Sequence, residues 1–383
     1  MTLMNLDGEI LGVIGGGQLG RMLLMQARQM NLKSAVWTGG LEAPATEIAD
    51  IIVDKPFDDA AALEEFCAAA TIATVEFENI PVCTLEGVLA KIPLHPSPEA
   101  VGICQNRERE KTFLKEKGIP CADFEMITSA EDLAGAMERI GPGMLKTADF
   151  GYDGSGQIRV KGDENALEVW KQFDAPRGVY EQWISYEREV SVMVVRGANE
   201  EVVCYPLAEN RHREQILDLT LVPAQVDDSV AEQATSIATK VAEALDYRGI
   251  MGVECFLMAD GLLLVNEMAP RPHNSGHYTM EACMHSQFDQ QIRAVMGLPL
   301  GSTRLLTPVA MLNLLGDLWP GPNESPDWQP LFEDGSATLH LYGKAKASSR
   351  RKMGHANFLG ETVEDAEARA LQLKDRWLGV GQG

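Results

Sequence analysis

The stretch Gly249-Ile-Met-Gly-Val-Glu-Cys-Phe-Leu-Met-Ala-Asp-Gly-Leu-Leu-Leu-Val-Asn-Glu267 decides how the rest of the chain is read. Two apolar, β-rich runs flank Asp260-Gly261. An Asp-Gly pair in that setting predicts a hairpin closed by a two-residue turn, because these residues accept the positive φ angles the turn requires. Such a turn pairs Ala259 with Leu262 and, further along the ladder, Glu254 with Glu267. Their Cβ atoms would then lie about 4.5–5.5 Å apart on one face, where like charges repel. A cation between them removes the conflict. Two carboxylates beside the amide of Asn266 are hard oxygen donors suited to Mg²⁺, which keeps waters and is commonly shared with substrate phosphates. The competing reading is a solvated strand face carrying two unrelated acids.

The 383 residues exceed one ordinary core and suggest two or three domains. Acidic residues outnumber basic ones by 56 to 33, for a net charge of −23, which argues against a nucleic-acid partner. A small-molecule enzyme is expected instead. The seven cysteines are scattered, with no Cys-x-x-Cys pair, as expected of reduced thiols in a cytoplasmic protein. No apolar run approaches the ~20 residues that span a bilayer, so no membrane partner is expected.

Residues 9–100 alternate β-rich runs (Ile10–Ile14, Ser34–Thr38, Ile51–Val53, Ala73–Phe77) with helical stretches, predicting an α/β domain with a parallel sheet over 1–100. A charged helix from about Val101 to Lys117 opens a second, α+β domain over 101–300, with strands near 143–146, 157–160, 178–184 and 189–195 ahead of the hairpin. Residues 301–383 read as a small third domain.

Several clusters carry chemistry. Gly15-Gly-Gly-Gln18-Leu19-Gly20 satisfies the Gly-x-Gly-x-x-Gly pattern, but the second strand ends Ala35-Val-Trp-Thr-Gly39 without the acid that would hold a dinucleotide ribose. A phosphate or other polar group over the helix N-terminus, or tight turn packing alone, remain the alternatives. Glu76 and Asn79 fall at the carboxyl edge of the same sheet, or cap the next helix. Lys146 precedes the loop Gly151-Tyr152-Asp153-Gly154-Ser155-Gly156, whose amide groups can converge on phosphates; a plain hairpin loop is the alternative. In Val179-Tyr-Glu-Gln-Trp-Ile184, Glu181 can accept from an adenine amino group and Glu189 can hold ribose hydroxyls, unless both simply lie on the surface. Asn210-Arg-His212 is a polar cluster of open role. Arg271-Pro-His273-Asn274-Ser-Gly-His277, four residues past Glu267, suits a pocket where negative charge develops. Lys344 to Lys352 is the one strong basic run, either a phosphate clamp or a solvated face.

The order Lys146, glycine loop, Glu181–Ile184, Glu254, Asn266-Glu267 resembles that of the ATP-grasp carboxylate–amine ligases. Within them, residues 15–22, Phe77-Glu-Asn-Ile80, 151–157, 266–277 and Arg351-Lys-Met-Gly-His355 resemble the N5-carboxyaminoimidazole ribonucleotide synthetases of purine (IMP) biosynthesis, over nearly the whole chain. The resemblance implies an ATP-grasp fold with an N-terminal Rossmann-like domain, and an ATP- and bicarbonate-dependent carboxylation of aminoimidazole ribonucleotide through carboxyphosphate. It implies an ATP site of Arg107, Lys146, residues 151–156 with Gln157, then Glu181, Gln182, Trp183, Ile184, Glu189, His212, Asn266 and Glu267. Mg²⁺, or Mn²⁺, would sit on Glu254 and Glu267. Gln18, Leu19, Glu76, Asn274, Lys344 and Arg351 would hold the ribonucleotide, with Arg271, His273, Tyr152 and Asp153 at the chemistry. A homodimer is also implied. Another ATP-grasp purine ligase or formyltransferase, a dinucleotide oxidoreductase and a non-catalytic nucleotide-binding regulator are the rival readings.

Overall fold

The computed structural model describes residues 6–149, 156–321 and 324–379. Four short strands, β1 (Ile10–Ile14), β2 (Lys33–Trp37), β3 (Ile51–Val53) and β4 (Ile72–Val75), form a wholly parallel sheet in the order β3-β2-β1-β4. Alternate residues of β1 serve opposite faces. Leu11 and Val13 pack with Leu19, Leu23 and Leu24 of α1 (Gln18–Gln29), whereas Ile14 joins Trp37 and Phe66 beneath α2 (Ala60–Ala69). The predicted strands and helices of this region appear within one or two residues of their expected ends.

The charged helix expected over 101–117 is two helices, α3 (Pro98–Cys104) and α4 (Arg107–Glu116). Asn106 separates them: its side chain accepts from the Arg109 N–H at 2.9 Å and caps the second helix, which an uninterrupted pattern of charges concealed.

Strands β5 (Phe124–Ile127), β6 (Gly143–Thr147), β7 (Gln157–Val160) and β8 (Gly178–Gln182) form an antiparallel lobe ordered β5-β8-β6-β7. The strand expected to reach Ile184 stops at Gln182, because the Trp183 N–H turns to the Pro142 carbonyl at 2.9 Å.

The large sheet contains β9 (Arg188–Arg196), β10 (Val202–Cys204), β11 (Ala208–Arg213), β12 (Ile216–Val222), β13 (Gly249–Leu257) and β14 (Leu263–Ala269). It continues without a break into β15 (Val309–Leu315), β16 (Ala337–Leu341) and β17 (Lys352–Leu359). Its order is β14-β13-β9-β11-β12-β15-β17-β16, with β10 beside β9. The last three strands, read from the sequence as part of a separate small domain, therefore extend this sheet through the β12–β15 pairing. Helix Asp228–Ala244 covers β9 and β13, burying Ile237, Ala238 and Val241 against Val192, Val194 and Met251. Helix Gln287–Met296 joins the large sheet to the parallel one: Gln291 accepts from the Ile250 N–H at 2.6 Å and donates to Thr74 Oγ1 at 2.7 Å. Among the described residues no helix is long and apolar enough to cross a membrane, and none of the seven cysteines is paired.

Candidate functional site

The deciding hairpin forms, with a different turn. Met258 and Leu262 close it through the Met258 N–H and the Leu262 carbonyl at 2.9 Å, so three residues turn rather than two, with Gly261 at φ +84°. Cys255 consequently faces Val265, one step out of the expected register. A β-bulge between Glu254 and Cys255 admits Asn266 as an extra residue and restores Glu254 opposite Glu267. The Asn266 carbonyl accepts from Lys111 Nζ at 2.8 Å.

The two carboxylates meet as like charges. Burial, then the facing Glu267, holds the Glu254 carboxyl above the ordinary range. That is the strain a divalent cation removes. Among the described residues no group of three or more His, Cys, Asp or Glu gathers as a metal site. The pair therefore suits an ion that completes its shell with water and phosphate oxygens, as Mg²⁺ does.

Beside them lies a buried ion cluster. Glu181, 3 % exposed, has one oxygen 3.0 Å from Lys146 Nζ and 3.3 Å from the fully buried Lys111 Nζ. Burial opposes its charge, yet Lys111, Lys146 and Arg107 together pull the carboxyl down to about 2. Its second oxygen is buried and has no partner among the described residues. The surface placement left open for Glu181 is thereby overturned. Trp183 lies under the Arg159 guanidinium at 3.9 Å, with Gln182 exposed and Ile184 half-buried. Glu189 also turns inward: His212 Nδ1 lies 2.6 Å away, and the Tyr186 hydroxyl donates to it. Gln157 pairs with Lys146 across β6 and β7, and Gly156 accepts from the Thr147 N–H. Gly151, Tyr152, Asp153, Gly154 and Ser155 lie outside the described residues.

A cleft of about 890 Å³ opens beside this cluster. It brings together Gln18, Leu19, Glu76, Arg107, Glu267, Arg271, His273, Asn274, Lys344 and Arg351. Lys146, Glu181, Glu189, His212, Glu254 and Asn266 do not line it. Of these, Glu254 touches the lining directly, 3.3 Å from His273 Nε2.

Glu76 gives the glycine turn its reason. Its carboxylate accepts from the N–H groups of Gly17 (2.8 Å) and Gly20 (3.0 Å) at the start of α1. A Cβ on Gly17 would sit 2.8 Å from that carboxylate, and one on Gly15, at φ +100°, 2.5 Å from the Glu76 stem. A protein carboxylate thus takes two of the amides at this helix start, leaving fewer for a bound group. Among the described residues the N–H groups of Gln18 and Leu19 are left as the open pair. The Leu19 side chain itself is core.

Arg271 is clamped by both oxygens of Glu78, which raise its pKa further despite burial. Lys344 donates to the Lys352 carbonyl at 2.7 Å, and Arg351 pairs with Glu42. The Asn274 side-chain oxygen is buried without a partner among the described residues. Sequence reasoning missed Glu78, Glu110 and Lys111. Arg107, Glu110 and Lys111 recur at helical spacing on the buried face of α4, a polar stripe that was the available signal.

A small antiparallel lobe and a large sheet, joined to a parallel domain and lined by lysines and paired carboxylates, define an ATP-grasp ligase. Residues 112–288 match the ATP-grasp domain, 9–105 the ribonucleotide synthetase preATP-grasp domain, and 309–369 the phosphoribosylaminoimidazole carboxylase C-terminal domain. The chain belongs to the N5-carboxyaminoimidazole ribonucleotide synthase family. It is 39 % identical to that enzyme of Bacillus subtilis (strain 168) over 98 % of this chain and 97 % of the relative. The Thermus thermophilus synthetase structure is 38 % identical with a TM-score of 0.88, covering 96 % of this chain and 98 % of that one. The Aspergillus clavatus enzyme in complex with ADP and 5-aminoimidazole ribonucleotide superposes with a TM-score of 0.89 at 32 % identity, covering 98 % and 100 %.

Proposed function

We propose the following division of labour in this ligase. ATP and bicarbonate are consumed to carboxylate the amine of 5-aminoimidazole ribonucleotide, giving N5-carboxyaminoimidazole ribonucleotide, ADP and phosphate. The observation that carries the assignment is the meeting of Glu267, the last residue of the carboxylate pair, with Arg271, His273 and the basic run in one cleft. Adenine belongs against Glu181 to Ile184, where the unpartnered Glu181 oxygen can accept from its amino group. Glu189 holds ribose hydroxyls with His212 behind it. Lys146 and Arg107 orient the phosphates, while Glu254 and Glu267 hold Mg²⁺. When bound, Mg²⁺ supplies positive charge against the phosphate oxygens.

Bicarbonate oxygen attacks the γ-phosphorus, ADP leaves, and carboxyphosphate forms; positioning by Lys146 and Arg107 does most of the work in such a transfer. The ribonucleotide amine nitrogen then bonds to the carboxyl carbon, the bond from that carbon to the phosphate oxygen breaks, and the amine proton leaves with the departing phosphate. Arg271, held rigid by Glu78, faces the negative charge that develops. The amides of Gln18 and Leu19, with Asn274, Lys344 and Arg351, hold the ribonucleotide. Residues 1–100 and 301–383 supply the ribonucleotide side of the site, residues 101–300 the nucleotide side, and the enzyme works as a cytoplasmic homodimer. The test is ADP release with ATP, Mg²⁺, ribonucleotide and bicarbonate, each omitted in turn. Release that needs all four supports the assignment, and release with a different amine or acid overturns it.

A further inference from the structure

Asn210, part of a polar cluster of open role in the sequence, lies within a buried chain of hydrogen bonds that ends on His273, whose ring faces Glu254. Thr220 on β12 donates to Asn210 Oδ1 at 2.9 Å, and Asn210 Nδ2 donates to Ser191 Oγ on β9 at 2.8 Å. Ser191 Oγ lies 2.9 Å from Ser275 Oγ, which lies 2.8 Å from His273 Nδ1. His273 Nε2 faces Glu254 at 3.3 Å. Thr220, Asn210, Ser191 and Ser275 are 0–4 % exposed, so bulk water does not set their proton positions.

Two fixed groups give the chain its direction. The Ser275 backbone N–H, 3.3 Å from His273 Nδ1, can only donate. A Glu254 carboxylate holding a cation can only accept. Nδ1 is therefore the acceptor and Nε2 carries the proton. Each hydroxyl has a single proton to give, so Ser275 donates to His273, Ser191 to Ser275, and Asn210 to Ser191.

We propose that this relay locks His273 in its Nε2–H tautomer and aims that hydrogen at Glu254, making His273, Ser275, Ser191 and Asn210 positioning residues for that carboxylate. The inference rests on the reading of Glu254 as a cation ligand. It excludes His273 as a base, because neither ring nitrogen has a lone pair free to take a proton from substrate. Donors of this kind orient ligating carboxylates, and their loss costs about 10–100-fold in activity or metal affinity.

The test uses the full-length enzyme with ¹⁵N-labelled imidazoles, the His273 signals being those that vanish in His273→Gln. With Mg²⁺ present, the expected spectrum has a protonated Nε2 and an unprotonated Nδ1, and Ser275→Ala, which keeps the backbone N–H but loses the hydroxyl donor, leaves Nε2 protonated and shifts the Nδ1 signal. His273→Gln, whose amide can still donate to Glu254, keeps kcat within about tenfold, whereas His273→Leu loses about 100-fold and needs more Mg²⁺. A proton on Nδ1, a Ser275→Ala spectrum identical to wild type, or a folded His273→Gln as inactive as His273→Leu overturns the relay. Failure of the cation reading shows separately, as Mg²⁺-dependent turnover that survives Glu267→Gln while the His273 spectrum stays as expected.

Discussion

Glu254 faces Glu267 across a hairpin whose neighbouring pairs, Cys255 with Val265 and Phe256 with Leu264, run one residue out of that register. The bulge at Asn266 makes the difference, and Lys111 fastens it by donating to the Asn266 carbonyl at 2.8 Å. The position of the carboxylate pair thus depends on a fully buried lysine that does not line the cleft.

Glu267→Gln removes one of the facing charges. ADP formation should fall by about 10² or more, the loss typical of a charge-stabilising group. Without Mg²⁺ the variant should melt no lower than wild type, since the repulsion with Glu254 is gone. Steady-state ADP assays and melting with and without Mg²⁺ check both; Mg²⁺-dependent turnover near the wild-type rate would remove Glu267 from the cation site.

Lys111→Met fills the same space without the charge. Breaking a buried pair typically costs 3–5 kcal/mol, and because Lys146 still faces Glu181 the expected loss is about 3 kcal/mol. Urea unfolding measures it. A loss below about 1 kcal/mol would mean that the lysine is not ionically engaged.

Glu181 links stability to acid. Its carboxyl is buried, yet Lys111, Lys146 and Arg107 bring it from 4.5 down to about 2. A depressed acid contributes stability that is complete above its unfolded value and is lost as pH falls through the folded one. At about 1.4 kcal/mol per unit this is about 3 kcal/mol, withdrawn between pH 4.5 and about 2. Unfolding free energies followed over that window should fall more steeply for wild type than for Glu181→Gln; equal slopes would contradict the ion cluster.

Lys344 links substrate binding to base. Burial, then Arg351 and Lys352, pushes its ammonium down to about 8. The charge is present below that pH and lost above it, so the ribonucleotide KM should climb as pH passes 8 while the ATP KM stays level. Lys344→Ala should raise the ribonucleotide KM about tenfold at neutral pH, the equivalent of one charged contact near 1.4 kcal/mol. An equal rise in the ATP KM would place Lys344 elsewhere.

The sequence by itself determined the elements and the chemistry they carry. Apolar β-rich runs and glycine-marked turns give the parallel sheet and the hairpin, because both are local properties of neighbouring residues. The order of Lys146, Glu181, Glu254 and Glu267 gave the class of enzyme. Tertiary structure alone decided how charges are paired. Lys111 and Asn266 are 155 residues apart, and Arg271 and Glu78 are 193 apart, so no local pattern announces either contact. A charged helix such as α4 looks solvated until β8 and β14 close over it, and a glycine turn shows nothing of the distant Glu76 carboxylate that takes two of its amides. Burial makes each of these pairings strong, and burial is fixed only when distant segments pack together.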